Sequence, residues 1–167
     1  MKDSKMGGIR IVEFPKCKMA ASGYCKMEDG PFEEGGKLKR FENWWSEYDK
    51  TRADRWFMRD FMMYERGEKA LIWYYALPEN SDIYCEYEII DFEGGLYACD
   101  VAVLDDYDDE QRVYGAIKEW IKSSEVFEMD ERPGHYDLSH GITPEYAAKA
   151  MGHMQLEIYV PIKLRSV

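Results

Sequence analysis

The chain has 167 residues, enough for one domain or two small fused units around a sizeable core. Hydrophobic residues make up 46% of it and aromatics 15%, a load that implies a large aromatic core or an aromatic-lined site. A formal net charge of −11 gives a surface that repels phosphate backbones, which argues against direct nucleic-acid binding, and no apolar run reaches the length of a membrane span.

Met1 to Gly8 is polar and contains glycine, and reads as a flexible tail ahead of a folded domain over 9–167. The segment Ile11 to Ala20 (IVEFPKCKMA) echoes Ile89 to Ala98 (IIDFEGGLYA), with Ile, Phe and Ala at matched places. After the first copy, Gly30-Pro31 and Gly35-Gly36 mark a loop. Leu38, Phe41, Trp44, Trp45 and Tyr48 then recur at spacings of three and four, predicting a helix from Lys37 to about Asp49. Thr51 to Gly67 reads as a charged, aromatic connection. Leu71 to Leu77 and Ile83 to Ile90 read as strands joined by a turn at Pro78 to Ser81.

The second copy opens a similar series. Leu96 to Leu104 is a strand, and Asp105 to Asp109 suits a helix N-terminus. Val113, Ile117, Trp120 and Ile121 form the apolar stripe of a helix ending near Ser124. His135 to Ser139 is a weaker strand. Thr143-Pro144-Glu145 opens a short helix with Thr143 as N-cap, and Gly152 closes it. The chain ends on the strand Leu156 to Leu164.

The elements define an α+β fold: duplicated β-α-β-β units, about 9–90 and 91–164, forming an antiparallel sheet. Helices cover one sheet face, which leaves the other face free to form a ligand cleft at the pseudo-twofold seam. The four cysteines (Cys17, Cys25, Cys85, Cys99) form no CxxC pair and lie far in sequence from His135, His140 and His153, so no metal site and no cofactor is expected. They read as reduced thiols of a cytoplasmic protein. The histidines read as ordinary surface residues. No nucleophile elbow, phosphate loop or dinucleotide motif is present, so no catalytic residue is assigned.

The closing strand carries the sharpest functional signal. Alternation sends Ile158, Val160 and Ile162 to one face and Glu157, Tyr159 and Pro161 to the other. An acid beside a phenol suits a positively charged, greasy ligand, because a carboxylate is costly to bury without a partner. Tyr84 to Ile89 is taken as the first-half counterpart of this strand, which adds Tyr84, Glu86 and Glu88 to the predicted site. Trp73 and Tyr75 share one face of the strand Leu71 to Leu77 and are assigned to the cleft rather than to the helix side. Trp44 and Trp45 point about 100° apart on a helix, so one joins the core stripe and the other covers the cleft rim. Trp44 is placed in the site.

The duplicated β-α-β-β order, the strand GLYACDVAV, the helix YGAIKEWIKSS and the ending LEIYVPIKL together resemble the GyrI-like effector-binding domain family. The version fused to AraC-type transcription regulators is the nearest in pattern. The resemblance covers about Ile9 to Leu164. It implies a sensor of small hydrophobic, often cationic molecules, the breadth of a multidrug-binding domain, with Glu157 and Tyr159 as cleft residues. It also implies that DNA is reached only through a separate helix-turn-helix domain, and nothing in this chain resembles one. Many relatives carry an acid just before the tyrosine of the penultimate strand. Here that stretch reads Pro133-Gly134-His135-Tyr136. The leading expectation is therefore a binding domain in transcription regulation, with no membrane partner and with a homodimer allowed. Two alternatives stay open: a hydrolase of small electrophilic toxins on the same fold, and a protein-binding antagonist resembling a gyrase inhibitor.

Overall fold

The computed structural model describes residues 7–53, 57–65, 69–78 and 85–166. In chain order the elements are β1 (Arg10–Phe14), β2 (Cys17–Ala21), β3 (Cys25–Lys26), α1 (Lys37–Asp49), β4 (Asp60–Glu65), β5 (Ala70–Ala76), β6 (Glu88–Phe92), β7 (Gly95–Val103), α2 (Tyr107–Ser123), β8 (Phe127–Met129), β9 (Leu138–Gly141), α3 (Glu145–Met151) and β10 (Gln155–Leu164). A single 3-10 turn at Met27–Asp29 follows β3.

The chain divides into two compact units. The central unit is Lys16–Phe92, and the terminal unit joins Met1–Pro15 to Glu93–Val167. Within the central unit the strands run β4-β5-β2-β6, with β3 also on β5, all antiparallel. Within the terminal unit they run β1-β7-β10-β9, with β8 also on β10, again antiparallel. The two units repeat one plan: β6 on β2 matches β1 on β7, β5 matches β10, and β4 matches β9.

The sequence echo falls on this plan. Phe14 and Phe92, and Ala20 and Ala98, are buried pairs at equivalent places. Yet β1 precedes β2 in the chain and pairs with β7, while β6 precedes β7 and pairs with β2. Each unit's outer strand is thus supplied by the segment that leads into the other unit, which is why the terminal unit is discontinuous in sequence. The links are Pro15-Lys16 and Glu93-Gly94. In the second, Gly94 and Gly95 take φ of 69° and 123°, values open to glycine and strained for other residues.

Helices α1 and α2 each cover one face of their own unit. In α2 the Asp106 side chain accepts from the Asp109 backbone N–H at 3.1 Å, and three acids occupy the first turn, as the helix dipole favours. Its buried residues Val113, Ile117 and Ile121 pack on Ala98, Ala102, Leu156, Ile158, Val160 and Ile162. That core is aliphatic. In α1 no side chain caps the start. Instead the Pro31 carbonyl accepts from Leu38 and Lys39 N–H, each at 3.0 Å. Gly36 permits this close turn, since a Cβ there would meet the Pro31 oxygen at 2.5 Å.

Several sequence expectations are corrected. The connection Thr51 to Gly67 contains β4. Its sequence DFMMYE puts apolar or aromatic side chains on both faces, so it lacks the polar alternation that marks a half-exposed strand. In the run Ile83 to Ile90, the described residues are strand from Glu88, which continues to Phe92, while Ile83, Tyr84 and most of the Pro78 to Ser81 turn lie outside the described residues. The strand expected at His135 to Ser139 lies at Leu138–Gly141. Thr143 does not cap α3: its hydroxyl accepts from Gln155 N–H at 2.8 Å, tying the loop to β10 instead. Gly152 ends α3 in the left-handed conformation, as expected.

Candidate functional site

The site begins with register. Cross-strand partners point to the same sheet face. Arg10 opposes Cys99, which opposes Tyr159, and His140 opposes Glu157. Alternation along each strand then gathers Arg10 and Phe14 from β1, Tyr97 and Cys99 from β7, His140 from β9, and Glu157 and Tyr159 from β10 on the face opposite α2. The expected split of β10 holds: Ile158, Val160 and Ile162 face the helix, and Glu157 and Tyr159 face away.

This face is buried rather than open. Tyr97, Cys99, Tyr159, His140 and Glu157 are all buried, and Phe14 meets both Tyr97 and Tyr159 edge-on at ring-centroid distances of 5.0 Å. The His140 ring lies 5.4 Å from the Tyr159 ring. Into this aromatic setting the fold places a polar chain. Tyr159 donates its hydroxyl proton to Glu157 Oε2 at 2.6 Å, and its oxygen lies 2.8 Å from His140 Nε2. Because the phenol proton goes to Glu157, the phenol oxygen accepts from His140, which assigns the ring proton to Nε2. Burial, with a smaller push from Cys99, raises the Tyr159 pKa above its ordinary value against a small opposing effect of Arg10, so the phenol stays a proton donor.

The second carboxylate oxygen, Oε1, forms an ion pair with Arg10. The two partners differ in exposure: the Arg10 side chain is 59% exposed and that of Glu157 is 7%. A guanidinium reaching in from the rim of the sheet thus neutralises a carboxylate held inside. Such a pair compensates much of the cost of burying the acid.

The other predicted site residues belong to the central unit. Trp73 and Tyr75 are not on the face away from the helix: they lie under α1, in a core with Leu38, Phe41 and Leu77. Trp44 and Trp45 both pack against this core. Trp45 stacks on Tyr75 at 5.7 Å, and Trp44 meets Tyr75 at 6.1 Å. Trp73 donates its indole N–H to Asp60 at 3.1 Å, and Tyr75 donates to Asp49 at 2.8 Å. These polar tips explain why large aromatics are tolerated beneath a helix. Burial is the main cause that lifts the Asp60 pKa to about 6, against the lowering effect of the Trp73 hydrogen bond.

The counterpart of the closing strand is β5, not Tyr84 to Ile89. Both β5 and β10 lie inside their units, whereas β6 is an outer strand equivalent to β1. Register then aligns Ile72 with Glu157, Tyr74 with Tyr159, Met63 with His140, and Glu88 with Arg10. Glu86 and Glu88 are exposed, and Tyr84 lies outside the described residues. Sequence reasoning missed Arg10 and His140. His140 was read as a surface residue yet is buried on β9, one position beyond the strand expected from the sequence, which offered no cue for it.

Among the described residues no group of three or more His, Cys, Asp or Glu is placed to hold a metal ion. No helix among them is long and apolar enough to cross a membrane. A surface groove of about 430 Å³ is lined by Glu128, Met129, Glu131, Arg132 and Lys163, a mixed-charge set that includes no aromatic residue.

No family model matches the sequence, and no curated protein does. Solved structures match in fold. The structure of SAV2435 bound to tetraphenylphosphonium matches at a TM-score of 0.56 and 9% identity, over 93% of each chain. The crystal structure of the EcmrR C-terminal domain matches at 0.59 and 11% identity, over 93% of this chain and 96% of that one. EcmrR in its complex with DNA matches at 0.59 and 12% identity, where 93% of this chain covers 57% of that one. SAV2435 and the EcmrR C-terminal domain have the GyrI-like fold. The chain shares that fold, an α+β arrangement of antiparallel strands with three α-helices among the described residues.

Proposed function

We propose that this chain captures small hydrophobic cations on the terminal-unit face opposite α2, as the effector-binding domain of a transcription regulator. The observation that carries this reading is the Glu157 carboxylate, buried among Phe14, Tyr97 and Tyr159 and held by the Tyr159 hydroxyl. A ligand cation would meet that carboxylate and the faces of electron-rich rings, each ring contributing about 0.5–2 kcal/mol. The fold shared with a protein solved with tetraphenylphosphonium, and with one solved on DNA, supports the same reading.

Glu157 and Tyr159 are buried, so capture requires a state in which this face is open. A ligand that binds only the opened state shifts the population toward it, and a DNA-binding neighbour in a longer regulator would respond to that shift. The cytoplasm is the compartment this role requires. The test is titration with tetraphenylphosphonium and with neutral triphenylphosphine oxide. Glu157→Gln should weaken the cation by about 10–100-fold, the worth of a charge-assisted contact, and the neutral probe far less. Equal weakening of both probes, or none, overturns the electrostatic reading.

The hydrogen-bonded Glu157–Tyr159–His140 chain also favours a second reading. A carboxylate that orients water and a phenol that protonates a leaving oxygen are the parts of a hydrolase for strained electrophiles. Turnover of styrene oxide that Tyr159→Phe abolishes would replace the binding reading.

A further inference from the structure

We propose that Arg10 is a built-in competitor for Glu157, and that it sets which cations the site accepts. This rests on the binding reading above. Three observations carry it. Arg10 forms an ion pair with Glu157 at Oε1 without a hydrogen bond to it, while Tyr159 donates its hydroxyl proton to Oε2. The guanidinium comes from an outer strand and its side chain is 59% exposed, so it can leave for water without crossing the core. The fold itself does not require the pair, because the equivalent positions in the central unit hold Glu88 and Ile72, and Ile72 is buried without a charge.

The consequence is a threshold. Arg10 is tethered beside the carboxylate, so its effective concentration there is on the order of millimolar or more. A small hydrated cation offers Glu157 nothing that Arg10 does not, and loses this competition. A large apolar cation brings ring contacts and buried apolar area that Arg10 lacks, and removing that area from water favours binding. A neutral hydrophobe gains the area but leaves the Arg10–Glu157 pair standing. The accepted class is therefore both cationic and bulky, such as phosphonium or quaternary ammonium ions with several aromatic groups.

The experiment is calorimetric titration of the full chain at pH 8 and low salt, using wild type, Arg10→Met, Arg10→Lys and the double variant Arg10→Met with Glu157→Gln. A thermal melt accompanies each variant, and Arg10→Gln replaces Arg10→Met if that variant does not fold. Tetraphenylphosphonium should bind Arg10→Met about tenfold more tightly, in the range measured for close charge pairs. Triphenylphosphine oxide should shift less than about twofold, Arg10→Lys should stay near wild type, and the gain should vanish in the double variant. Unchanged or weaker cation binding by a folded Arg10→Met, with Glu157→Gln still harmful, overturns the competitor role and leaves the binding reading standing. Absence of binding by every form overturns both.

Discussion

The two units share a strand plan but place their polar chemistry on opposite faces. In the terminal unit the helix side is aliphatic, built from Val113, Ile117, Ile121 and the inward residues of β10, and the other side carries Arg10, His140, Glu157 and Tyr159. In the central unit the helix side is aromatic and holds Asp60 and Asp49 through Trp73 and Tyr75, while the other side carries Met19, Met63, Ile72 and Tyr74. A duplicated fold thus tolerates a buried acid on either face, provided that face supplies donors. The difference shows that the partners, and not the strand order, decide where charge can be buried.

The strongest way to break this comparison is to transplant the acid. Ile72→Glu puts a carboxylate at the position equivalent to Glu157, where Met63 stands for His140 and Glu88 for Arg10. Denaturant unfolding should show a loss of about 4 kcal/mol or more, or no folded protein. A loss under about 1 kcal/mol would mean that the central face is as accommodating as the terminal one.

Asp60 offers a smaller effect of opposite sign. Its folded pKa of about 6 exceeds the ordinary carboxyl value, so between about pH 4 and 6 the folded state binds more protons than the unfolded one. Stability therefore falls as pH rises through that window and is lowest above it. Asp60→Asn keeps an acceptor for the Trp73 indole and should stabilise by about 2–3 kcal/mol at pH 7.5, with the gain gone by pH 4. Melting curves across pH check both magnitude and sign; a gain that persists at pH 4 would assign it to something other than ionisation.

The smallest effect belongs to the exposed Lys18–Asp91 pair, 2.8 Å apart across β2 and β6. Lys18→Ala should leave the unfolding midpoint unchanged within the error of the measurement, because solvent screens such pairs. A measurable loss would show that β6, the outer strand of the central unit, depends on that pair for its register.

Much of the fold was legible because it rests on local periodicity. The stripe from Leu38 to Tyr48 gives α1 its observed limits, and the acids before Val113 mark the start of α2. The internal echo was legible too, since Phe14 and Phe92 fill equivalent buried places. β4 escaped because both its faces are apolar or aromatic, which removes the period of two. The site was half legible. Alternation put Glu157 and Tyr159 together, but pairing Tyr84 to Ile89 with the closing strand drew in Glu86 and Glu88, which are exposed. Trp73 and Tyr75 were assigned to the wrong face because both faces of β5 are hydrophobic, and alternation says which residues share a face without saying which face meets the helix.

The sequence by itself determined the helices, most strands, the duplication, and the side-by-side placement of an acid and a phenol on β10, because each depends on residues near one another in the chain. Only the tertiary structure decided that β1 and β6 pair outside their own hairpins. It also decided that Arg10 and His140 meet Glu157 and Tyr159. Those contacts join residues about 150 and about 20 positions apart, and their geometry is set by strand register between segments that are separate in the chain.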